Sequence, residues 1–180
     1  METVPLAVDV HYDPAGEFSR AALVAFDDWS SPVATDERTV ELEGVEPYVP
    51  GEFYRRELRP ILAVLSLRGA LDLVVVDGHV WLDAQQKPGL GAHLHEALGG
   101  GVPVVGVAKT SFHGATLAVP VHRGIGTRQL YVSSLGIPIE DSVAAIHAMH
   151  GTHRIPTLLR RVDQLARGLV EPMTRPRGSA

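Results

Sequence analysis

The sequence contains no cysteine, which excludes disulfide bonds, thiolate metal ligands and a cysteine nucleophile. It has no apolar run near the roughly 18 residues that a membrane-spanning helix needs. Its first residues lack the basic-then-apolar pattern of a secretory signal peptide. Basic residues are also in short supply, with 16 against 21 acidic ones, which argues mildly against nonspecific coating of nucleic acid. We therefore expect a cytoplasmic protein that does not insert into membranes.

Length and composition are those of a globular protein. The 180 residues are 45% hydrophobic and 21% charged, which is sufficient for a sizeable core. We predict one domain over residues 1–171. The tail over residues 172–180 is rich in proline and glycine, and we predict that it is disordered.

Hydrophobic periodicity predicts the order of the secondary-structure elements. Strands are predicted over residues 5–12, 20–29, 35–43, 71–77, 102–109, 115–122 and 128–133. Helices are predicted over residues 52–68, 90–98, 141–150 and 156–171, the first with an apolar stripe of Phe53, Leu58, Ile61, Leu62, Leu65 and Leu67. Three antiparallel strands followed by helix, strand, helix and strand is the order of a ribonuclease-H-like fold. The predicted fold class is α/β, with a mixed sheet flanked by helices on both faces.

Two aspartates stand inside or at the end of apolar runs. Asp9 interrupts the run from Leu6 to Val10, and Asp77 follows the run from Leu73 to Val76. A buried carboxylate is costly unless it is paired or binds a cation. In ribonuclease-H-like folds, acids on the first and fourth strands meet at the sheet centre, where they can hold divalent cations. With Glu57 as a third candidate, the sequence predicts carboxylates close enough to share a metal ion.

Seven short motifs follow one another in a fixed order. They are Val8-Asp9-Val10, Pro47-Tyr48-Val49-Pro50-Gly51, Arg56-Glu57-Leu58, Val76-Asp77-Gly78-His79, Gly89-Leu90-Gly91-Ala92-His93-Leu94, Gly106-Val107-Ala108-Lys109-Thr110, and Arg154-Ile155-Pro156 followed by Asp163. In this order they resemble the endonuclease V family, over residues 4–170. The tyrosine motif, with arginine-glutamate at a fixed distance after it, is the most specific part.

The resemblance implies an endonuclease of DNA repair that acts on deaminated, inosine-containing DNA. It implies Mg²⁺ as cofactor, with Mn²⁺ as a substitute, and cleavage on the 3′ side of the lesion at the second phosphodiester. Asp9, Glu57 and Asp77 would bind the metal. Asp163 would add a ligand or orient the water, and Lys109 would neutralise the scissile phosphate.

The resemblance also implies how the base is recognised. Tyr48 would act as a wedge that fills the gap left by the extruded base. Pro47 and Pro50 would shape its loop, and the backbone at Gly51 and Gly78 would line the base pocket. The implied partner is nucleic acid, with inosine in RNA as a further substrate, and the protein is expected to be a monomer.

Three segments depart from the family pattern. Val80 stands where the family has a glycine, which predicts a narrower lesion pocket. Residues 83–88 replace a histidine-proline-arginine run, and residues 133–138 replace a serine-proline-glycine-histidine-arginine turn. These losses leave two alternatives: a nuclease of the same fold with an altered substrate, such as inosine-containing RNA or branched or mismatched DNA, and a non-catalytic nucleic-acid-binding relative.

Each feature also has a purely structural interpretation. An aspartate at a strand end is more often a cap, and a tyrosine between prolines is usually packed in its loop. Among the nine histidines, His147, His150 and His153 have no recognised metal-ligand spacing, so no zinc site is predicted.

Overall fold

A computed structural model describes residues 4–112, 114 and 117–173. Of the tail predicted to be disordered, residues 174–180 lie outside the described residues. No described helix is long and apolar enough to cross a membrane. The strands are β1 Pro5–Tyr12, β2 Phe18–Ala25, β3 Asp36–Glu43, β4 Leu73–Asp77, β5 Val104–Ala108, β6 Val119–Val121 and β7 Leu130–Leu135. The helices are α1 Tyr54–Leu65, α2 Leu90–Ala97, α3 Ile139–Ala148 and α4 Thr157–Ala166.

The strands form one mixed sheet in the order β3-β2-β1-β4-β5-β7-β6. The central strands β1, β4 and β5 are parallel to one another, and the outer strands pair antiparallel. Strand β4 reads as an unbroken apolar run because both faces of a central parallel strand are covered. The carboxyl ends of β1, β4 and β5 therefore open at the same edge of the sheet.

Alternating side chains of the strands build two hydrophobic cores. On one face, residues such as Val75 and Val107 pack with α3 and α4. On the other face, Val74 and Val76 pack with α1 and α2. The sheet with helices on both faces confirms the predicted fold class.

All predicted elements exist, and the differences lie at their ends and on one helix. The most shortened is the strand predicted over residues 115–122, which covers only Val119–Val121 in the described residues. The apolar stripe predicted for the first helix was wrong at its two ends. Phe53 and Leu67 are 51% and 44% exposed, because α1 begins after Phe53 and ends before Leu67.

A buried ion pair fastens α4 to the edge strand β3. The Glu37 side chain is 2% exposed, and both its carboxylate oxygens accept hydrogen bonds from Arg161 at 2.8 Å. The backbone N–H of Met173 also donates to it. Burial opposes ionisation of Glu37, but Arg161 and the Met173 N–H outweigh it and hold the pKa of Glu37 below its ordinary 4.5. The pair thus stabilises the position of α4 against the sheet.

Replacing Glu37 with glutamine should destabilise the protein by roughly 2 kcal/mol at pH 7, less than a fully buried pair because Arg161 remains partly solvated. A lowered pKa contributes stability above the unfolded pKa, and that contribution is lost as the pH falls through the folded pKa. The difference between wild type and Glu37→Gln in urea unfolding should therefore shrink below pH 4.5. The control is Glu41→Gln, whose pair with Arg20 is 52% exposed on the glutamate side and should matter little at any pH.

Candidate active site

Asp9 and Asp77 lie side by side on the adjacent strands β1 and β4. Val8 is paired with Val76 across the parallel β1–β4 ladder, so Asp9 and Asp77 follow on adjacent strands about 4.8 Å apart. Alternation along the strands directs both toward the face covered by α3 and α4. The N–H of Val10 donates to an Asp9 carboxylate oxygen at 2.8 Å. The spacing of these two carboxylates is therefore set by the sheet itself.

The helices on opposite faces supply two more acids. Glu57 lies in the first turn of α1, and Asp163 lies on α4. All four acids line one cleft of about 670 Å³, together with Lys109 at the end of β5. This cleft brings together the five residues that the sequence predicted as catalytic.

Burial and mutual repulsion make negative charge costly in this cleft. Burial, followed by the charge of Asp77, raises the pKa of Asp9 to about 7. Burial, followed by the charge of Asp9, raises the pKa of Glu57 to about 8. The Tyr12 hydroxyl is buried and makes no hydrogen bond of normal geometry to a described residue. It nevertheless lies close enough to Glu57 to lower the pKa of Glu57 and so to oppose part of the rise. A positive charge close to the cluster would therefore stabilise the ionised carboxylates.

The other two acids, Asp77 and Asp163, each form an ion pair with a cationic side chain. The Lys109 ammonium lies 2.5 Å from an Asp77 oxygen. Burial opposes the charge of Lys109, but Asp77 and then Asp9 raise its pKa overall. Across the cleft, Arg167 donates from Nε to an Asp163 oxygen at 3.0 Å. Asp77 and Asp163 thus have protein counter-ions in this state.

The carboxylates line one cleft but are not drawn together around a common centre. In the described part of the chain, no three acidic or histidine side chains are grouped closely enough to hold a metal ion. The closer grouping expected for Asp9, Glu57 and Asp77 is thus not seen among the described residues, where Asp77 instead contacts Lys109. The four acids nevertheless offer the oxygen ligands that a hard divalent cation prefers. The Lys109 ammonium already places one positive charge beside Asp77.

Tyr48 projects from the loop before α1. Its ring is 59% exposed and lines the cleft together with Gly51. The Arg56 guanidinium lies 5.6 Å from the Tyr48 ring centroid and donates from Nε to the Glu46 carbonyl at 2.9 Å. The loop is thereby braced from α1, with the tyrosine facing solvent as an exposed aromatic surface.

The other four residues predicted for base binding divide into two groups. Gly51 and Gly78 line the cleft, whereas Pro47 and Pro50 are exposed in the loop and are not part of its lining. Gly78 has a φ of +151°, and its N–H donates to the Val107 carbonyl at 3.1 Å. The two prolines restrict the backbone of the loop on either side of Tyr48.

The expectation that Val80 narrows the pocket was wrong. Its side chain is fully buried in the core beneath α2 and is not part of the cleft lining. A Cβ on Gly91 would lie only 2.7 Å from the Val80 Cγ2. The absence of a side chain at Gly91 thus leaves the space that the Val80 side chain fills. The pocket width is therefore not set by Val80.

Sequence reasoning missed several side chains that shape the cleft. Phe53 and Phe112 line it as exposed aromatics, and the motifs give no signal for either. His79 donates from Nε2 to the Thr110 carbonyl at 3.0 Å, which ties the loop after β4 to the loop after β5. Arg154 donates to the carbonyls of Lys109 and Gln129 and so fixes the backbone of the lysine. Its place in the arginine-isoleucine-proline motif was the available signal.

Such a cleft can perform hydrolysis of a phosphodiester. Carboxylate oxygens suit a divalent cation, which supplies Lewis acidity toward phosphate and water. Lys109 can offset negative charge on the phosphate. An exposed aromatic at the rim can stack on a nucleic-acid base.

Comparison with known proteins agrees with this interpretation. The sequence model of the endonuclease V family matches residues 2–136. Endonuclease V of Thermococcus kodakarensis is 31% identical over 90% of this chain and 77% of its own length. Endonuclease V of Streptomyces avermitilis is 32% identical over 93% of this chain and 80% of its own.

Solved structures give the same result for the fold. The crystal structure of the Streptomyces avermitilis protein has a TM-score of 0.73 at 27% identity, covering 93% of this chain and 82% of that one. An endonuclease V from Ciona intestinalis, solved with a 23-mer DNA containing inosine followed by a ribo-adenosine, has a TM-score of 0.75 at 16% identity. The alignment covers 93% of this chain and 85% of the Ciona chain, and at that identity it shows the fold alone.

The close contact between Val80 and Gly91 predicts that mutations at these two positions have coupled effects on stability. Gly91→Ala alone should destabilise the protein by roughly 1–3 kcal/mol through overpacking, and Val80→Gly alone by roughly 2–4 kcal/mol through the cavity that it leaves. The double variant should recover part of the loss, because removing the Val80 methyls makes room for the new Cβ. Recovery stays partial since the Cα of residue 80 would remain 3.1 Å from that Cβ.

Urea unfolding of the four proteins in this cycle measures the coupling. Additive effects would show that the two positions do not share the space that the structure gives them.

Proposed function

The chain belongs to the endonuclease V family and is an endonuclease, and on that premise we propose that it cuts inosine-containing DNA on the 3′ side of the lesion, as a monomer serving DNA repair. One observation carries the proposal. The five residues proposed as catalytic and the exposed ring of Tyr48 line the same cleft. A phosphodiester and the base beside it can therefore be held at one site.

The proposed metal ligands are Asp9, Glu57 and Asp77, with Asp163 as a fourth ligand or as the residue that orients the water. Two of these acids have pKa values raised to about 7 and about 8, which supports a site that a cation completes. We propose Mg²⁺ as the metal, with Mn²⁺ as a substitute, because both accept carboxylate oxygens. The bound metal supplies Lewis acidity toward the phosphate and lowers the pKa of the attacking water.

The chain's own groups position the scissile phosphate. Lys109 reaches the cleft from the end of β5, and its backbone carbonyl is fixed by Arg154. With Asp77 bound to a metal ion, the Lys109 ammonium would be available to offset charge on the phosphate oxygens. Asp163 reaches the cleft from the side opposite Glu57, where it would serve as the fourth metal ligand or orient the attacking water.

Base recognition is assigned to the rim of the cleft. The Tyr48 ring stacks in the gap that the extruded base leaves, which offsets part of the unstacking cost. The extruded hypoxanthine enters the part of the cleft lined by the backbone at Gly51 and Gly78. A positive φ at both glycines supports a close approach of backbone to ligand, since other residues adopt that conformation at a cost.

A cleavage panel tests the proposal against both alternatives. Substrates contain inosine, uracil, a mismatch or a flap in duplex DNA, and inosine in RNA, with unmodified strands as controls. We expect cutting of inosine-containing DNA, with 3′-hydroxyl and 5′-phosphate ends at the second phosphodiester beyond the lesion. Preference for inosine in RNA, or for flaps and mismatches, would support an altered substrate. Binding without cleavage at any Mg²⁺ or Mn²⁺ concentration would identify a non-catalytic relative.

Removal of single carboxylates should separate metal chemistry from folding. Asp77→Asn removes ligand charge with little change in volume, so kcat should fall by roughly 10²–10³-fold or more while urea unfolding changes little. Asp163→Ala should lose most activity at little cost in stability, since repulsion within the cluster is relieved. Asp141→Asn, at the exposed start of α3, is the matched control and should cleave normally.

Full activity of Asp163→Ala would show that α4 is only structural. Full activity of Asp77→Asn would contradict the metal site itself.

The wedge role of Tyr48 predicts a loss that depends on the duplex. Tyr48→Ala should weaken binding to inosine-containing duplex by roughly 1–3 kcal/mol, the worth of one base–aromatic stack. The loss should be smaller on single strands, where no stack has to be held open. Tyr48→Phe keeps the ring and the contact with Arg56, so it should bind as the wild type does. Equal losses on duplex and single strand would rule out a wedge.

A further inference from the structure

Arg167 is the second cation of the cleft and has no role in the mechanism above. It caps the carboxyl end of α4, and its side chain is 51% exposed while lining the cleft beside the four acids. Among the residues that the structure describes, its side chain hydrogen-bonds to Asp163 alone, through Nε at 3.0 Å. The guanidinium therefore still has N–H donors directed away from that single bond, since it carries five in all.

The field of the whole carboxylate cluster acts on Arg167. Arg167 lines the same cleft as Asp9 and Asp77, and its Nε donates a hydrogen bond to Asp163. Asp77 ends β4 and Asp9 lies within the adjacent β1, so the guanidinium shares one cleft with the acids beside which the scissile phosphate is proposed to sit. Being planar and forked, it matches two oxygens of a phosphate better than an ammonium does.

Asp163 cannot serve Arg167 and a divalent cation equally well. A carboxylate oxygen bound to a metal ion has less negative charge to offer a guanidinium, and the metal repels the arginine as well. Metal binding at Asp163 therefore weakens the Asp163–Arg167 pair. The freed cation then stands at the edge of a cleft that has become more positive and that faces a polyanion.

We propose that Arg167 is a phosphate-binding residue for the nucleic-acid substrate and that metal binding releases it from Asp163 for this role. The inference rests on the function proposed above, and it makes substrate affinity depend on the metal through a named residue.

The competing interpretation is a surface pair four residues apart on one helix. Such pairs stabilise a helix slightly and take no part in binding. Arg59 offers a matched control, since it is a 61% exposed arginine near Glu46 at 3.9 Å and does not line the catalytic cleft.

The first measurement is the salt dependence of binding to an inosine-containing duplex with phosphorothioates at the 3′ linkages, which block cleavage. Wild type, Arg167→Gln, Arg167→Lys and Arg59→Gln are each titrated in Mg²⁺ and in EDTA. Each phosphate neutralised steepens the slope of log Kobs against log[salt] by about 0.9. We expect Arg167→Gln to be shallower than wild type by about 0.9 in Mg²⁺ and equal to it in EDTA. Arg167→Lys should keep most of the slope, and Arg59→Gln should match wild type in both.

The second measurement is Mg²⁺ binding by calorimetry without nucleic acid. Arg167→Gln should bind Mg²⁺ several-fold more tightly than wild type, because Asp163 no longer has a competing partner. A helix-stabilising pair would leave Mg²⁺ affinity unchanged and lower only the melting temperature.

The outcomes separate this inference from the proposed function. Equal slopes for wild type and Arg167→Gln in Mg²⁺, or the same difference in Mg²⁺ and in EDTA, overturn the role of Arg167 while cleavage by wild type still stands. A wild type that binds no inosine-containing DNA overturns both. If Arg167→Gln does not fold, Arg167→Met replaces it in both measurements, with the same expected results and the same outcomes against the proposal.

Discussion

Repulsion between carboxylates at one edge of the sheet is the constraint on which the rest of the site depends. Asp9 and Asp77 are one residue beyond a paired position on adjacent strands, so the backbone ladder holds them together whatever their charge. Burial then raises the cost of ionisation, and Asp9 has a pKa of about 7 as a result. Lys109 offsets part of this charge, and the cluster as a whole is arranged to accept a divalent cation.

The proposed metal ligands lie on two kinds of secondary structure. Asp9 and Asp77 are fixed by strands at the centre of the sheet, whereas Glu57 and Asp163 arrive on helices from opposite faces. Helices can shift by small amounts over a packed core, and strands inside a sheet cannot. If the four acids bind one metal ion as proposed, any adjustment of the ligands would come from α1 and α4. The buried pair between Glu37 and Arg161 limits how far α4 can move.

The sequence predicted what depends on local pattern. The run from Leu73 to Val76 could only be a covered strand, and the acid after it had to appear at the end of that strand. The motif spacing likewise led to Glu57, Lys109 and Asp163, which line the cleft together with both strand aspartates. The fold class followed from the order of these elements.

Predictions failed where a side chain's direction depends on its neighbours. Val80 stands next to the cleft in sequence, yet it turns inward because Gly91 on a later helix leaves room for it. Phe53 fits a helical stripe, yet it lies in the cleft because α1 begins one residue later. Arg167 lies in no motif, and only the packing of α4 shows that it faces the acids. Such long-range contacts have no local signature.

Arg56 and Glu57 are neighbours on α1, so one helix positions both the Tyr48 loop and a carboxylate of the cleft. About 100° of helical rotation separates them, so Arg56 braces the Tyr48 loop while Glu57 points to the carboxylates. A shift of α1 that brings Glu57 closer to a cation must carry the aromatic ring with it. If Glu57 binds the metal and Tyr48 contacts the base as proposed, a substitution that tilts α1 will affect metal binding and base recognition together.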